Sequence, residues 1–142
     1  MPHKSWTYRR LGDLLASVEG KTIAVLGLTY KPGTDTLRRS SAVELCRKLH
    51  EAGARVVAFD PKVTTLPGDL QPVITLAASA LAALADADAL VVATEWPEFR
   101  EIPPEQIVAA MSQPLVLDAN RFLNNTAGSY DGISYYTVGK SS

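Results

Sequence analysis

Residues 22–60 decide the fold. Thr22-Ile-Ala-Val-Leu-Gly27 opens the stretch, Ser41-Ala-Val-Glu44 stands within it, and Arg55-Val-Val-Ala-Phe-Asp60 closes it. The first run is apolar without polar alternation, the pattern of a strand buried on both faces, as in a parallel sheet. Ser41 and Glu44 have the spacing of a capping box, in which hydroxyl and carboxylate satisfy backbone donors reciprocally. Behind them Ala42, Leu45, Cys46, Leu49 and Ala52 form one apolar helical stripe, and Gly53 supplies its stop. The third run is a second buried strand, ended by Pro61. Strand, helix and strand make a β-α-β unit whose crossover is right-handed.

The same alternation extends in both directions. Upstream, Tyr8, Leu11, Leu15 and Val18 are spaced by threes and fours and predict a helix over Ser5–Val18, with Gly20 as its stop. Downstream, the pattern predicts an Ala-rich helix from about Ala77 to Ala85 and a strand over Ala89–Thr94. A helix then begins at Pro104 and carries Ile107, Val108 and Met111; Pro is favoured at a first helical position. A strand over Pro114–Asp118 and a last one near Ile133–Val138 complete the series, with Asn124–Asp131 as a polar loop. Such alternation predicts an α/β fold, a Rossmann-like three-layer α/β/α arrangement with an open, mostly parallel sheet.

A chain of 142 residues suits one such domain. Its net charge of −1 provides no global field for nucleic acid or an anionic membrane, so any bound anion must be held by a local cluster. The apolar runs fall far short of the ~20 residues that cross a bilayer, and the first ten residues lack the apolar core of a secretory signal. A lone Cys46 excludes an intrachain disulfide and fits a reducing compartment, the cytoplasm by default. No His, Cys and Asp cluster has metal-ligand spacing, so no metal is expected.

In open α/β sheets, ligands bind outside the carboxyl ends of the strands, near the point where strand order reverses. Residues 27–40, 94–99 and 118–122 should therefore converge. The first of these connections is about twice the ordinary ~2–6 residues of a strand-to-helix loop. It holds Lys31, Arg38 and Arg39 against a single acid, Asp35. Cations just before a helix N-terminus oppose the helix macrodipole unless an anion lies between them. Two decoys fall away. Gly20-Lys21-Thr22 precedes a strand, the reverse of a phosphate loop. Gly27-Leu-Thr-Tyr-Lys-Pro-Gly33 lacks the G-x-G-x-x-G spacing, which leaves Asp60 a weak ribose-binding candidate.

The run from Ile23 to Ser41, Ile-Ala-Val-Leu-Gly-Leu-Thr-Tyr-Lys-Pro-Gly-Thr-Asp-Thr-Leu-Arg-Arg-Ser-Ser, resembles the signature of the C-terminal, UDP-binding domain of UDP-glucose/GDP-mannose dehydrogenases. The resemblance continues through Phe59-Asp60-Pro61, Thr94-Glu95-Trp96 with Phe99, Asp118-Ala119-Asn120-Arg121 and Val138-Gly139-Lys140. It implies an NAD-dependent oxidation of a sugar C6 alcohol to a carboxylate, as from UDP-glucose to UDP-glucuronate, in polysaccharide biosynthesis. It also implies that residues 1–20 are the tail of a central connecting helix and residues 21–142 the nucleotide-sugar-binding domain. By position, Tyr30 and Lys31 match an aromatic-lysine pair that contacts the UDP-sugar or GDP-sugar, and Arg38 matches an arginine that reaches toward NAD. Thr36 and Arg39 stand where the family usually has acids. Asn120 stands where it has a nucleotide-binding arginine, so either Arg121, one position on, is the replacement anchor or the anchor is lost.

The resemblance further implies that NAD and the catalytic cysteine belong to an N-terminal domain absent from this chain, with a homodimer as the full enzyme. No catalytic residue is expected here. Cys46 lies on an apolar helical stripe, where a thiol is an inert core residue. A chain of this size is either one domain of a longer enzyme or a stand-alone nucleotide-binding or dimerisation module without catalysis. A receiver-type signalling domain has similar architecture but needs metal-binding acids after the first strand, where this chain has Gly27-Leu28.

Overall fold

A computed structural model describes residues 2–29 and 40–138, with side chains from Trp6 onward. Its elements run α1 (Pro2–Leu15), β1 (Thr22–Leu26), α2 (Ser41–Glu51), β2 (Arg55–Phe59), β3 (Thr75–Leu76), α3 (Ala80–Leu84), β4 (Ala89–Val92), α4 (Pro104–Ala110), β5 (Leu115–Leu117) and β6 (Ser134–Tyr136). The six strands pair in the order β3-β2-β1-β4-β5-β6, every pair parallel. The expected α/β layering is thus present, and the sheet is wholly rather than mostly parallel.

Strand residues alternate between two apolar layers, because successive side chains point to opposite faces. Ile23, Val25, Val56, Ala58, Val91 and Leu117 face the layer built with Leu11 and Leu15 of α1 and Leu45, Cys46 and Leu49 of α2. Ala24, Leu26, Val57, Leu90 and Val116 face the other, with Ala83 and Leu84 of α3 and Ile107 of α4. Covering both faces is what permits strands without polar alternation. Each fully buried Leu or Val contributes roughly 1.5–3 kcal/mol relative to exposure.

Several boundaries differ from the sequence expectation. The cap of α2 is Ser40, not Ser41: Ser40 is extended (φ −75°, ψ 124°) and its Oγ accepts from Val43 N at 3.3 Å. Ser41 is already the first helical residue. At the other end Gly53 acts as expected. Its φ of +94° allows Gly53 N to donate to His50 O and Ala54 N to donate to Leu49 O, the paired bonds of a Schellman stop. Helix α1 ends at Leu15, where Ala16 turns left-handed (φ 67°), so Val18 is buried without being helical.

The Ala-rich helix is only Ala80–Leu84, because the Ser79 hydroxyl caps it by accepting from Ala82 N at 3.0 Å. The two-residue edge strand β3 lies just before it. The expected polar loop contains a 3-10 turn over Ala127–Ser129 with Ala127 fully buried.

Candidate functional site

The strand order places the reversal between β1 and β4, which are followed by helices on opposite faces of the sheet, α2 on one and α4 on the other. There the chain is drawn extremely close. Gly27 sits at φ +100°, and a Cβ on it would lie 2.4 Å from Thr94 Cβ and 2.5 Å from Thr94 N. Only a glycine admits that approach.

One carboxylate organises this end of the sheet. Asp60, buried at the end of β2, accepts at Oδ2 from Leu28 N (2.7 Å), Thr29 N (3.0 Å), Thr29 Oγ1 (3.1 Å) and Trp96 Nε1 (3.0 Å). Its Oδ1 accepts from Lys62 N at 2.8 Å. The Thr94 hydroxyl donates to Thr29 O at 2.7 Å, and the Ser40 hydroxyl donates to Leu28 O at 2.6 Å. Leu28–Thr29 and Ser40, which flank residues 30–39, are therefore bonded to the turn after β2, to the turn after β4 and to each other. Buried polar groups in such a network rigidify it because an unpaired member would be costly.

Asp60 is thus not a ribose-binding acid. Its carboxylate is buried and committed to internal donors, Leu28 and Thr29 are also buried, and the Gly27 turn is filled by Thr94. Sequence reasoning gave Asp60 a weak ligand role; the signal for its structural one was the absence of the glycine spacing around it.

Of the residues expected to bind ligand, Tyr30, Lys31 and Arg38 lie outside the described residues, as do Thr36 and Arg39. Arg121 is described. It takes a left-handed conformation (φ 61°) in the turn after β5, and its guanidinium donates to Asn124 Oδ1 at 3.1 Å. Its neighbour Asn120 turns toward the β4 end instead, donating to Glu95 Oε2 at 2.7 Å.

Asp118 shapes that turn. Its Oδ2 accepts from Leu123 N (2.6 Å) and from the Tyr135 hydroxyl (2.7 Å), and its backbone O accepts from Arg121 N (3.2 Å). Asp118 Oδ1 is buried and has no partner among the described residues. Burial first, then the hydrogen bond to Asp118, holds the Tyr135 phenol well above its ordinary pKa. Beside the turn a crevice of about 600 Å³ runs along β6, lined by Arg121, Asn124, Ser129, Tyr130, Tyr135 and Tyr136 among others. Arg121 lines this crevice, while Asn120 is the member of the pair bonded to the β4 turn.

Cys46 is fully buried, and burial pushes its thiol up to about 12, which agrees with an inert core residue. Among the described residues no group of His, Cys, Asp and Glu could hold a metal ion, and no helix is long and apolar enough to cross a membrane.

Fold and site together define a doubly wound α/β domain whose first strand-to-helix connection lacks the glycine spacing of a dinucleotide loop. Residues 24–125 match the UDP binding domain of the UDP-glucose/GDP-mannose dehydrogenase family, and the chain belongs to that family. It is 43% identical over 122 residues to a UDP-glucose 6-dehydrogenase of Haloferax volcanii, covering 84% of this chain and 28% of that protein. To a UDP-glucose 6-dehydrogenase of Rhizobium meliloti it is 37% identical over 123 residues, 87% of this chain and 28% of that one. The chain therefore spans little more than a quarter of these relatives. The structure resembles a UDP-glucose dehydrogenase of Pyrobaculum islandicum with a TM-score of 0.70 at 29% identity, over 81% of this chain and 25% of that one. A TM-score of 0.79 at 19% identity relates its fold to an NDP-N-acetyl-D-galactosaminuronic acid dehydrogenase of Methanosarcina mazei, over 99% of this chain and 29% of that one.

Proposed function

We propose that this domain grips the nucleotide diphosphate of a UDP-sugar, as part of an NAD-dependent dehydrogenase that oxidises the sugar C6 alcohol to a carboxylate. UDP-glucose, the substrate named for its relatives in Haloferax and Rhizobium, is the first candidate. The observation that carries this reading is the anchoring of Thr29 and Ser40 at the strand-order reversal, where a doubly wound sheet takes its ligands. The segment between them contributes Lys31 to balance phosphate charge, and Tyr30 packs against the ligand. Arg121 adds a planar donor fork, suited to phosphate oxygens, from the β5 end.

The NAD site and the nucleophilic cysteine belong to a further domain, because the Asp60 carboxylate is spent on internal donors rather than on a ribose and Cys46 is sealed in the core. Arg38 reaches toward that domain's cofactor. Helix α1 (Pro2–Leu15) is the tail of a helix connecting the two domains, residues 21–142 are the nucleotide-sugar domain, and the full enzyme is a cytoplasmic homodimer.

Thermal melting of the chain with UDP, UDP-glucose, GDP-mannose and NAD in parallel tests this. A ligand at about 100 times its Kd adds roughly 2.7 kcal/mol. A shift with the uridine ligands and none with NAD is expected; a shift with NAD alone overturns the assignment.

A further inference from the structure

We propose that Glu95, held in place by Asn120, accepts a ribose hydroxyl of the bound nucleotide. This rests on the reading that the domain takes a UDP-sugar at the strand-order reversal. Dinucleotide-binding domains of this fold receive the ribose on an acid at the end of β2. Here that acid, Asp60, is buried and committed to internal donors, so the task falls to another acceptor. Glu95 directly follows Thr94 in the turn after β4, the strand on the other side of the reversal.

The backbone that carries Glu95 is fixed on both sides. The Thr94 hydroxyl donates to Thr29 O at 2.7 Å, and Trp96 Nε1 donates to Asp60 Oδ2 at 3.0 Å. Trp96 N donates to Thr94 O at 3.0 Å, which closes the turn with Glu95 at its tip. Asn120 is set in a similar way in the turn after β5. Ala119 O accepts from Val138 N at 3.4 Å, and Asp118 O accepts from Arg121 N at 3.2 Å. The two tips meet where Asn120 Nδ2 donates to Glu95 Oε2 at 2.7 Å. Thr94, Trp96 and Asp118 are buried, whereas Glu95 is half-buried and Asn120 exposed, so the pair presents itself at the surface.

That bond leaves an acceptor on each group. Among the described residues no donor meets Glu95 Oε1 or Asn120 Oδ1. A carboxylate and an amide oxygen suit a ligand group that offers neighbouring hydroxyl donors. The carboxylate repels phosphate oxygens, so it faces the uncharged part of the nucleotide and not the diphosphate. The ribose diol is the group of that chemistry nearest the diphosphate. Because the two side chains already order each other, little rotamer freedom is lost when the hydroxyl arrives.

The test compares the Kd of the full chain for UDP and for 2′-deoxy-UDP, read from amide chemical-shift titrations. UDP carries no hexose, so any discrimination between the two comes from the ribose. The unmodified chain should hold UDP roughly tenfold tighter, the worth of one hydrogen bond to a charged group. Glu95→Gln keeps an oxygen for Asn120 and removes the charge; it should weaken UDP and leave 2′-deoxy-UDP unchanged, so the preference disappears. Asn120→Ala keeps the carboxylate but releases it, and should narrow the preference. Equal affinity for the two ligands in the unmodified chain, or equal weakening of both in Glu95→Gln, overturns the proposal and leaves the nucleotide reading standing. An unchanged preference in Asn120→Ala overturns the part given to Asn120. Binding of neither ligand by the unmodified chain overturns this proposal and the nucleotide reading together.

Discussion

The approach of Gly27 to Thr94 can be weighed directly by Gly27→Ala. Two costs combine. An L-residue at φ +100° leaves its allowed regions, a penalty of about 1–2 kcal/mol. The new Cβ would also stand 2.4 Å from Thr94 Cβ, 2.5 Å from Thr94 N and 2.7 Å from Thr94 Cα. Two of these are backbone atoms of a residue already fixed by its bond to Thr29 O, so the clash cannot be relieved by a rotamer change, and overpacking of this kind costs about 1–3 kcal/mol. The sum, about 2–5 kcal/mol, is a large part of the ~5–15 kcal/mol that stabilises a domain. With a urea m-value of about 2 kcal/mol/M, the unfolding midpoint should fall by roughly 1–2.5 M. Gly20→Ala is the internal control: its φ of +77° is also left-handed, but nothing lies within 4 Å of the added Cβ. It should lose only the conformational part, about 1 kcal/mol. Equal losses in the two variants would refute the close approach.

Three further outcomes follow from the same geometry. Burial pushes the Cys46 thiol up to about 12, so a thiol-labelling disulfide reagent at neutral pH should react only after urea unfolds the chain; labelling of the native protein would contradict the core position. Tyr135→Phe leaves Asp118 Oδ2 with Leu123 N alone and Oδ1 still unpaired, which should cost about 1–3 kcal/mol by urea unfolding. Lys31→Ala should lower UDP affinity about tenfold or more while leaving the melting temperature of the free chain unchanged; equal UDP affinity in titration calorimetry would remove Lys31 from the site.

The layering was legible because apolar runs such as Thr22–Leu26 and Ala89–Val92 are too uniform for anything but a doubly covered sheet. Membership of the family was legible in the Ile23–Ser41 run. Less legible were features that depend on one residue's competition with its neighbour. Ser40 and Ser41 are equal as caps on paper, and the choice falls to Ser40 because its hydroxyl also meets Leu28 O. The strand Thr75–Leu76 has two residues, too few for a periodic signal, and exists through pairing with Val57 and Ala58. Asp60 resembled a ligand residue because its place in the order of elements is that of one. What reverses its role is Trp96, 36 residues away, and no local pattern announces that contact.

The order of the sheet has a consequence for how the chain is made. β1, the strand at the reversal, is also the first to be synthesised, and each later strand adds to an outer edge: β2 and β3 on one side, then β4, β5 and β6 on the other. No strand has to be inserted between two already paired. A nascent chain can therefore lay down its sheet outward from the centre as it leaves the ribosome. The unit around Asp60 closes once Trp96 has emerged, well before β6 arrives to give Asp118 its tyrosine. The carboxyl end of the sheet is assembled in two instalments, and the part nearest the β1–β4 reversal comes first.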